Sequence, residues 1–375
     1  METPDVRVVC PVSSIGGTIK VPGDKSISHR CTMLGALTNG IVKIKGFLNS
    51  EDCLNTLAAV EKMGAVVKRN TDGSIEIKGT GGRFKKPESP LDMGNSGTGI
   101  RLLCGLLAGH DFEAVLTGDA SLRSRPMKRI KEPLELMGAR LQLTGPKGCA
   151  PITIRGGNLR AIKYILPVAS AQVKSAVLFA GLFANGVTSV IEPKPTRDHT
   201  EKLLMDLGVD VKVDGLMVSV AGCQNDKLRL NHLEWNVPGD FSSAAFWFAA
   251  AAIFEGCTIT VENVGLNPRR VAFLDVLRRM GAKVEVEKDE KAGNEQCGVV
   301  SVTGPSILKG TVVGGEEIPN LIDELPLVAV LGAFAKGETV IKDAAELRVK
   351  ESDRIYSTAT ALRAFGVDVI EFDDG

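Results

Sequence analysis

Two hydrophobic patterns alternate along the chain at a regular interval. In five segments an amphipathic helix pattern ends at a glycine and is followed by a strand in which apolar and polar residues alternate. The glycine suits the left-handed conformation that caps a helix. These segments span 60–68, 134–143, 204–213, 277–286 and 362–371, and their glycines lie about 70 to 85 residues apart. We therefore expect five structural repeats.

A second pattern precedes each of these segments: an apolar helix, a turn with a glycine in or near it, and a strand. Examples are LGALTNGIVKIKG, GLFANGVTSVIEP and AAIFEGCTITVEN. One unit then reads helix, strand, loop, helix, strand, with a further strand such as 73–79 or 150–156. The steady period favours an α/β fold of βαβαββ-like units over an ordinary α/β sequence with coincidental glycines.

The repeats also predict domain boundaries. Three units fit within 22–236, two more follow, and the strand pattern of 17–23 stands alone. We predict one domain from 22 to 236 and a discontinuous second domain, 1–21 plus 237–375, with two repeats and an incomplete third. Because the chain stops directly after a helix–glycine–strand element, we expect it to be C-terminally truncated and, as such, nearly inactive.

Composition excludes several classes of protein. Hydrophobic residues make up 44% of the 375 residues, and 45 basic side chains balance 45 acidic ones. This balance argues against a general attraction to nucleic acid or anionic membranes. The longest apolar run, 244–254, is too short to span a bilayer. The first residues match neither a signal peptide nor a transit peptide.

Cysteine and histidine usage points to a cytoplasmic protein without a metal centre. The eight cysteines form no CxxC pair and mostly have apolar neighbours, so we expect reduced, packed thiols. With four histidines in the chain, we expect no metal site, and we expect no cofactor.

The run VPGDKSISHR (21–30) has the residue types of an anion site at a predicted helix start. Ser26 and Arg30 are one turn apart, and Lys25 lies in the first turn, beside free N–H groups and the positive end of the helix dipole. The run is not a P-loop, because Asp24 stands where a glycine should precede the lysine. A capped, solvated helix start explains the same residues.

Two further stretches fit anions. The glycine-rich start of 92–109, which includes Gly97, lets a ligand approach the backbone at the entrance of an apolar helix. The segment 118–133 is basic and contains Arg125, whose fork matches carboxylate and phosphate oxygens. A plain tight turn and a solvated basic surface are the alternatives.

The third unit adds polar side chains of the same kind. Ser170 and Gln172 stand just before an apolar helix within 166–182, and Arg197 follows on a loop of the same unit.

The second half supplies acidic residues. Asp323 lies between apolar residues at a helix entrance, where a helix cap is the plainer explanation. Lys350, Glu351 and Arg354 are expected within one turn on a common face, as in an exposed charge ladder. Taken together, basic anchors at helix starts and acids in the later domain indicate a two-domain enzyme for a phosphorylated substrate and a second anion.

In eight ordered motifs the chain resembles the 5-enolpyruvylshikimate-3-phosphate synthase family. The motifs are VPGDKSISHR, GNSGTGIRLLCGLLAG, LTGDASLRSRPMKRI, LPVASAQVKSAVLFAGL, RDHTEKLL, VPGDFSSAAF, IDELPLVAV and AAELRVKESDRI. The resemblance implies the inside-out barrel architecture of enolpyruvyl transferases. It also implies transfer of the enolpyruvyl group of phosphoenolpyruvate to the 5-hydroxyl of shikimate 3-phosphate, with release of phosphate, in aromatic amino acid biosynthesis through chorismate.

The resemblance further implies roles for single residues. The residues matched to shikimate 3-phosphate are Ser26, Arg30, Ser170, Gln172 and Arg197, and the substrate-binding set also includes Ala171 and Lys350. Those matched to phosphoenolpyruvate are Lys25, Gly97, Arg125 and Arg354. Lys25 would take part in proton transfer, Asp323 would orient or deprotonate the attacking hydroxyl, and Glu351 would protonate the methylene carbon.

Two alternatives remain at this point. The sister enolpyruvyl transferase for UDP-N-acetylglucosamine typically has a cysteine in a mobile loop and an early Lys-Asn pair, where this chain reads SLRSRPM and DKSIS. An inactive fragment that binds a phosphate ligand is the other. We expect a cytoplasmic monomer with small-molecule substrates and no nucleic acid or membrane partner. Glyphosate sensitivity is not determined by these motifs.

Overall fold

Sheets with one repeated strand order organise the fold. The computed structural model describes residues 8, 10–222, 233–289 and 295–375. Its α-helices are α1 (Lys25–Leu37), α2 (Glu51–Lys62), α3 (Gly97–Leu107), α4 (Lys128–Met137), α5 (Ala171–Gly181), α6 (His199–Asp206), α7 (Phe241–Ile253), α8 (Ala272–Arg279), α9 (Ile318–Leu321), α10 (Leu325–Phe334) and α11 (Arg354–Ala364).

The strands are short. In the first half they are β1 (Gly17–Lys20), β2 (Ile41–Lys45), β3 (Val66–Arg69), β4 (Ile75–Lys78), β5 (Leu91–Asp92), β6 (Glu113–Thr117), β7 (Arg140–Leu143), β8 (Ile152–Arg155), β9 (Leu159–Arg160) and β10 (Lys163–Ile165). The later ones are β11 (Ala184–Asn185), β12 (Val187–Ile191), β13 (Val211–Asp214), β14 (Met217–Ala221), β15 (Leu233–Asn236), β16 (Thr258–Gly265), β17 (Lys283–Lys288), β18 (Cys297–Thr303), β19 (Val312–Val313) and β20 (Val340–Ile341).

The four-stranded sheets of the described chain share one topology. Their strand orders are β15-β2-β4-β3, β5-β6-β8-β7, β10-β12-β14-β13 and β1-β16-β18-β17. In each, the first pair is parallel and the other two pairs are antiparallel. The repeated α/β units predicted from the sequence are therefore confirmed. The parallel pair β19–β20 begins a further unit.

The predicted helix–glycine–strand turns are confirmed in four of the five segments. Gly64, Gly138, Gly208 and Gly281 have positive φ, and β3, β7, β13 and β17 follow them. The fifth prediction is wrong in part. Gly366 has the same left-handed conformation after α11, but 367–371 form no strand, because their backbone pairs with no described strand.

The buried apolar residues fall into two clusters. One extends from Ile27 to Val237, and the other from Phe241 to Ile355. No helix of the described residues is both long and apolar enough to cross a membrane. The described cysteines are free thiols, as expected, and Cys223 lies outside the described residues.

The chain passes between the two clusters through a pair of VPGD sequences. The amide of Asp24 donates to the carbonyl of Pro238 (2.8 Å), and the amide of Asp240 donates to that of Pro22 (2.8 Å). Each aspartate also caps the helix that follows, α1 or α7. Only glycine fits at position 23, since an added Cβ would lie 1.8 Å from the carbonyl oxygen of Gly46. We call this pair of segments the crossover.

Candidate active site

Helix starts of the first cluster converge on one wall. The ring of His29 in α1 is hydrogen-bonded to Thr56 in α2 (2.8 Å) and to Ser96, the N-cap of α3 (3.3 Å). Burial, with the charges of Lys25 and Arg30, lowers the pKa of His29 to about 3, so the ring is neutral at physiological pH. The helix entrances are thus joined by neutral hydrogen bonds behind the wall.

Arg30 lies inside this wall. Its side chain is buried, and its guanidinium donates to the Ser26 carbonyl (2.9 Å), to Thr200 (2.7 Å) and to Ser175 (2.8 Å). Burial lowers its pKa to about 10, which still leaves it charged. Arg30 therefore supports the first turn of α1 from below, while Ser26 is partly exposed above it.

Lys25 is the exposed residue of the opening run. Its ammonium group is paired with Asp52 at 3.1 Å, and the side chain is 51% exposed. A pair this open contributes little to stability, so an anion in the cleft competes for Lys25 at low cost.

Gly97 and Arg125 lie together beside the start of α3. Arg125 donates to Asn95 and, at 3.4 Å, to Ser121. A Cβ on Gly97 would lie 2.9 Å from Nη1 of Arg125 and 2.9 Å from Nη1 of Arg101. The glycine thus leaves room for two guanidinium groups, which supports the sequence interpretation that a ligand approaches here.

The start of α5 faces the start of α3. Ser170 caps α5 through the amide of Val173 (3.4 Å), and Ala171 is the first residue of the helix. Gln172 accepts from Arg101 (2.8 Å) and donates to Thr98 (3.0 Å). The polar residues of the third unit, predicted to precede the helix, therefore lie at its cap and within its first turns.

A buried ion triad that sequence analysis missed stands behind this part of the wall. The ammonium group of Lys174 in α5 is 2.9 Å from Glu192 and 2.6 Å from Glu201, and the three side chains are 0 to 3% exposed. Glu192 also accepts from Thr196, next to Arg197. The triad ties α5 to the loop that carries Arg197. The sequence offers one signal of this triad: Lys174 lies within an apolar helix, α5, where a lysine needs a buried acidic partner.

Asp323 lies in the part of the chain around the second cluster, but arginines from the parts around both clusters donate hydrogen bonds to it. It accepts hydrogen bonds from Arg197, from Arg354 (3.0 Å) and from Arg270 (3.5 Å). Burial alone would raise its pKa, but the charges of Arg197 and Arg270 hold the pKa of Asp323 well below its usual range. The helix-cap interpretation is wrong: Glu324 occupies the N-cap of α10, and Asp323 points to the arginines instead.

Glu351 and Lys350 precede α11 and do not share a helical face with Arg354, so the predicted charge ladder is wrong. The Nε of Arg354 donates to Glu351 at 3.2 Å. Burial is the largest single influence and acts to raise the pKa of Glu351, but the hydrogen bonds to the carboxylate and the charges of Arg354 and Arg125 together lower the pKa. Burial lowers the pKa of Lys350, which the charge of Asp323 partly offsets.

Other ion pairs join the two clusters around the same cleft. Arg129 of the basic stretch contacts Glu346 at 2.8 Å, and Lys194 lies 3.6 Å from Glu316. Together with the Arg197–Asp323 pair, they join cations of the first cluster to acids of the second, while Asp198 of the first lies 3.6 Å from Arg269 of the second. Among the described residues, no group of histidine, cysteine, aspartate and glutamate side chains is arranged to hold a metal ion.

The cleft has the parts for acid–base chemistry on anions. Guanidinium and ammonium groups match phosphate and carboxylate oxygens, and ionised Asp323 is a proton acceptor among them. A carboxylate next to cations is a weak base until those cations find other partners.

Comparison with known proteins gives one consistent family. The family model described as EPSP synthase (3-phosphoshikimate 1-carboxyvinyltransferase) matches residues 9–375. A 3-phosphoshikimate 1-carboxyvinyltransferase of Akkermansia muciniphila is 52% identical over 373 residues, which cover 97% of this chain and 85% of that protein. The enzyme of the same name from Geobacillus kaustophilus is 50% identical over 366 residues, which cover 97% of this chain and 84% of that protein.

Solved structures agree. EPSP synthase from Acinetobacter baumannii superimposes with a TM-score of 0.84 at 47% identity, covering 96% of this chain and 81% of that one. The enolpyruvyl transferase NikO from Streptomyces tendae, at 16% identity and a TM-score of 0.70 over 88% of this chain and 75% of its own, shares the fold.

Proposed function

We propose that this chain, which belongs to the EPSP synthase family, transfers the enolpyruvyl group of phosphoenolpyruvate to the 5-hydroxyl of shikimate 3-phosphate and releases phosphate. This is a step of the shikimate pathway, toward chorismate and the aromatic amino acids. The observation that carries the proposal is the position of Asp323, a buried ionised carboxylate held between Arg197 of one cluster and Arg354 of the other.

Shikimate 3-phosphate binds, in this proposal, along the wall of helix starts. The residues that hold it are Ser26, Arg30, Ser170, Ala171, Gln172 and Arg197. Ser26 and Ser170 stand at the entrances of α1 and α5, where free N–H groups and the helix dipole favour a phosphate. Arg30 adds its charge through the first turn of α1, and Arg197 reaches the substrate from the loop before α6.

Phosphoenolpyruvate binds between the two clusters. Its anionic groups lie among Lys25, Arg125, Lys350 and Arg354, next to Gly97, where the absence of a side chain lets Arg125 approach the backbone. Lys25, Arg125 and Arg354 are each paired with a polar or acidic side chain, Asp52, Asn95 or Glu351. Phosphate and carboxylate oxygens replace these partners with stronger, two-point bonds.

The chemistry is an addition followed by an elimination. Glu351 gives a proton to the methylene carbon, C3, so that positive charge develops at C2. The 5-hydroxyl oxygen bonds to C2, and Asp323 takes its proton. The Glu351 carboxylate then takes one proton from the new methyl group, the C2–C3 double bond re-forms, and the C2–O bond to phosphate breaks as phosphate leaves. Lys25 assists these proton transfers.

Substrate anions would also raise the pKa values of the two carboxylates, so that Glu351 can donate a proton and Asp323 can accept one. Glu351 is ionised while Arg354 holds it, and a proton donor must first be protonated. When phosphoenolpyruvate draws Arg354 away, the lost cation and the new negative charge raise the pKa of Glu351, so that it binds a proton. The same exchange makes Asp323 a stronger base, since Arg197 and Arg354 leave it.

We further propose that the parts of the chain around the two clusters act as two domains, 22–236 and 1–21 plus 237–375. They close on the substrates about the crossover. The protein would work as a cytoplasmic monomer without a cofactor, because the proposed chemistry uses only proton transfers and fixed charges.

Phosphate release with chosen acceptors tests the function. The chain is incubated with phosphoenolpyruvate and either shikimate 3-phosphate or UDP-N-acetylglucosamine, and phosphate is measured over time. We expect phosphate release when shikimate 3-phosphate is the acceptor and none when UDP-N-acetylglucosamine is the acceptor. Release with the nucleotide sugar, or tight shikimate 3-phosphate binding without any phosphate release, would contradict the proposal.

A further inference from the structure

Arg270 is a buried arginine that connects Asp323 to the crossover. It lies between β16 and α8, and its side chain is 5% exposed. Its Nη2 donates to Ser242 (2.7 Å) and to Asp240 (3.3 Å), both at the start of α7, while its Nη1 donates to Asp323 at 3.5 Å. One rigid guanidinium thus spans from the second VPGD segment to the candidate proton acceptor.

The three arginines on Asp323 differ in their freedom to move. The side chains of Arg197 and Arg354 are 20% and 21% exposed, and the proposed function gives each a substrate anion to bind. Arg270 is shielded from the cleft and is held by Ser242 and Asp240. An anion in the cleft therefore competes for two of the arginines and leaves the third in place.

We propose that Arg270 is the positioning residue for Asp323. It keeps the carboxylate oriented and ionised after Arg197 and Arg354 have turned to the substrates. The inference rests on the proposed function, because it takes Asp323 as the acceptor of the hydroxyl proton. Arg270 touches no reacting atom and acts only through Asp323.

The charges around this pair support the assignment. The charged groups that face Asp323 are Arg197, Arg270, Arg354 and Lys350, with Glu324 next to it in the chain. Burial would lower the pKa of Arg270, but the carboxylates of Glu324, Asp24 and Asp240 raise it above its ordinary value. Arg270 therefore stays charged at every pH at which the enzyme is folded, and its effect on Asp323 is permanent.

The test compares Arg270→Gln with the wild type and with Arg278→Gln, an exposed arginine paired only with Asp275. Turnover, both KM values and the pH profile of kcat are measured, since kcat reports the pKa values of the loaded enzyme. We expect Arg270→Gln to lower kcat by about 100-fold with both KM values changed less than about threefold. The acid limb of its kcat profile should move to higher pH, because Asp323 loses the arginine that the substrates leave in place.

Two further variants separate positioning from folding. Glu324→Gln combined with Arg270→Gln removes, together with the arginine, the buried carboxylate whose charge favours it most, and it is compared with Glu324→Gln alone. Arg270→Lys keeps the charge but not the planar fork, so it should keep the acid limb and lose part of kcat.

The outcomes are distinct. A folded Arg270→Gln or double variant with full turnover, or one with an unmoved acid limb, would overturn the inference. A loss confined to KM would overturn it as well. Failure of the proposed function would show instead as a wild type that releases no phosphate with shikimate 3-phosphate.

Discussion

Asp323 and Glu351 share Arg354 as a partner, and this sharing determines how the two carboxylates behave. Arg354 donates to Asp323 at 3.0 Å and to Glu351 at 3.2 Å. Arg354 thus contacts both carboxylates, although the charges of Arg197 and Arg270 are what hold the pKa of Asp323 well below its usual range. Its capture by phosphoenolpyruvate would raise the pKa of both carboxyls at once. Asp323 would still face Arg270 and stay ionised, whereas the exposed Glu351 would take up a proton.

Glu351→Gln tests this role. The amide has the same shape but carries no transferable proton, so we expect kcat to fall by about 100-fold or more. Shikimate 3-phosphate affinity, measured by calorimetry, should change by less than about twofold. Glu338→Gln, an exposed carboxylate of the same half, is the control. A large loss of affinity with normal turnover would remove Glu351 from the reaction.

Gly97→Ala tests the space next to Arg125. The new Cβ displaces only the tips of two flexible arginines, so the fold should remain, but the phosphoenolpyruvate site should be disturbed. We expect its KM to rise roughly tenfold, equivalent to about 1.4 kcal/mol, with little change for shikimate 3-phosphate. Gly35→Ala is a matched control, since its Cβ would meet neighbours at an ordinary 3.6 Å. Equal KM values for phosphoenolpyruvate in Gly97→Ala and Gly35→Ala would contradict the placement of phosphoenolpyruvate next to Gly97.

Some site residues could be predicted from local sequence patterns, and others could not because their contacts depend on the fold. Lys25, Gly97 and Arg197 carry local signals, because helix starts and glycine turns are visible in the pattern. Arg270 carries none, since its partners Asp240 and Asp323 are distant in the chain and only the fold brings them together. For Asp323 the local pattern favours a helix cap for the same reason, and only the family resemblance predicts a catalytic role.

At the scale of elements, helix starts tied together by buried polar groups make the substrate wall. Lys174 connects α5 with Glu192, which follows β12, and with Glu201 in α6, and His29 connects α1 with α2 and with the N-cap of α3. The helix–glycine–strand turns could be predicted because each depends on local backbone geometry. The strand expected at 367–371 could not, because pairing is a property of two segments.

Lys174→Met tests the buried triad. It leaves Glu192 and Glu201 buried without their cation, which should lower the free energy of unfolding by about 3–5 kcal/mol. Urea denaturation measures this change. Lys131→Met, which breaks an exposed pair with Glu135 at 3.6 Å, should change stability by less than about 1 kcal/mol. A loss of the same small size in both variants would show that the triad is not a structural anchor.

The crossover gives a pH-dependent prediction. Burial and the neighbouring Asp24 carboxylate raise the pKa of Asp240 to about 6 from an ordinary value of 3.8. Between these values the folded state holds a proton that the unfolded chain has released, so this group's contribution to stability falls as the pH rises.

Asp240→Asn should remove that fall while keeping a residue that caps α7. In urea denaturation, the free energy of unfolding of the variant relative to that of the wild type should rise by up to about 3 kcal/mol between pH 4 and pH 7. Asp275→Asn, an exposed carboxylate, is the control. A constant difference between Asp240→Asn and the wild type over this range would show that Asp240 titrates normally.

At the scale of the whole molecule, two apolar clusters meet at a cleft that several ion pairs cross. Arg129, Lys194 and Arg197 on one side are paired with Glu346, Glu316 and Asp323 on the other. The repeated sheets make the two bodies, and the crossover holds them together. In the proposed function, substrate anions would bind cations that are paired here with the protein's own acids.

Deuterium incorporation tests the central claim, the addition–elimination reaction in this cleft, most directly. The chain is incubated with phosphoenolpyruvate and shikimate 3-phosphate in D₂O, and the product is analysed by mass spectrometry and proton NMR. Protonation of C3 makes a methyl group that must later lose one hydrogen, so the account predicts an enolpyruvyl product with deuterium in its methylene group. An enolpyruvyl product without deuterium, or phosphate release without this product, would contradict it.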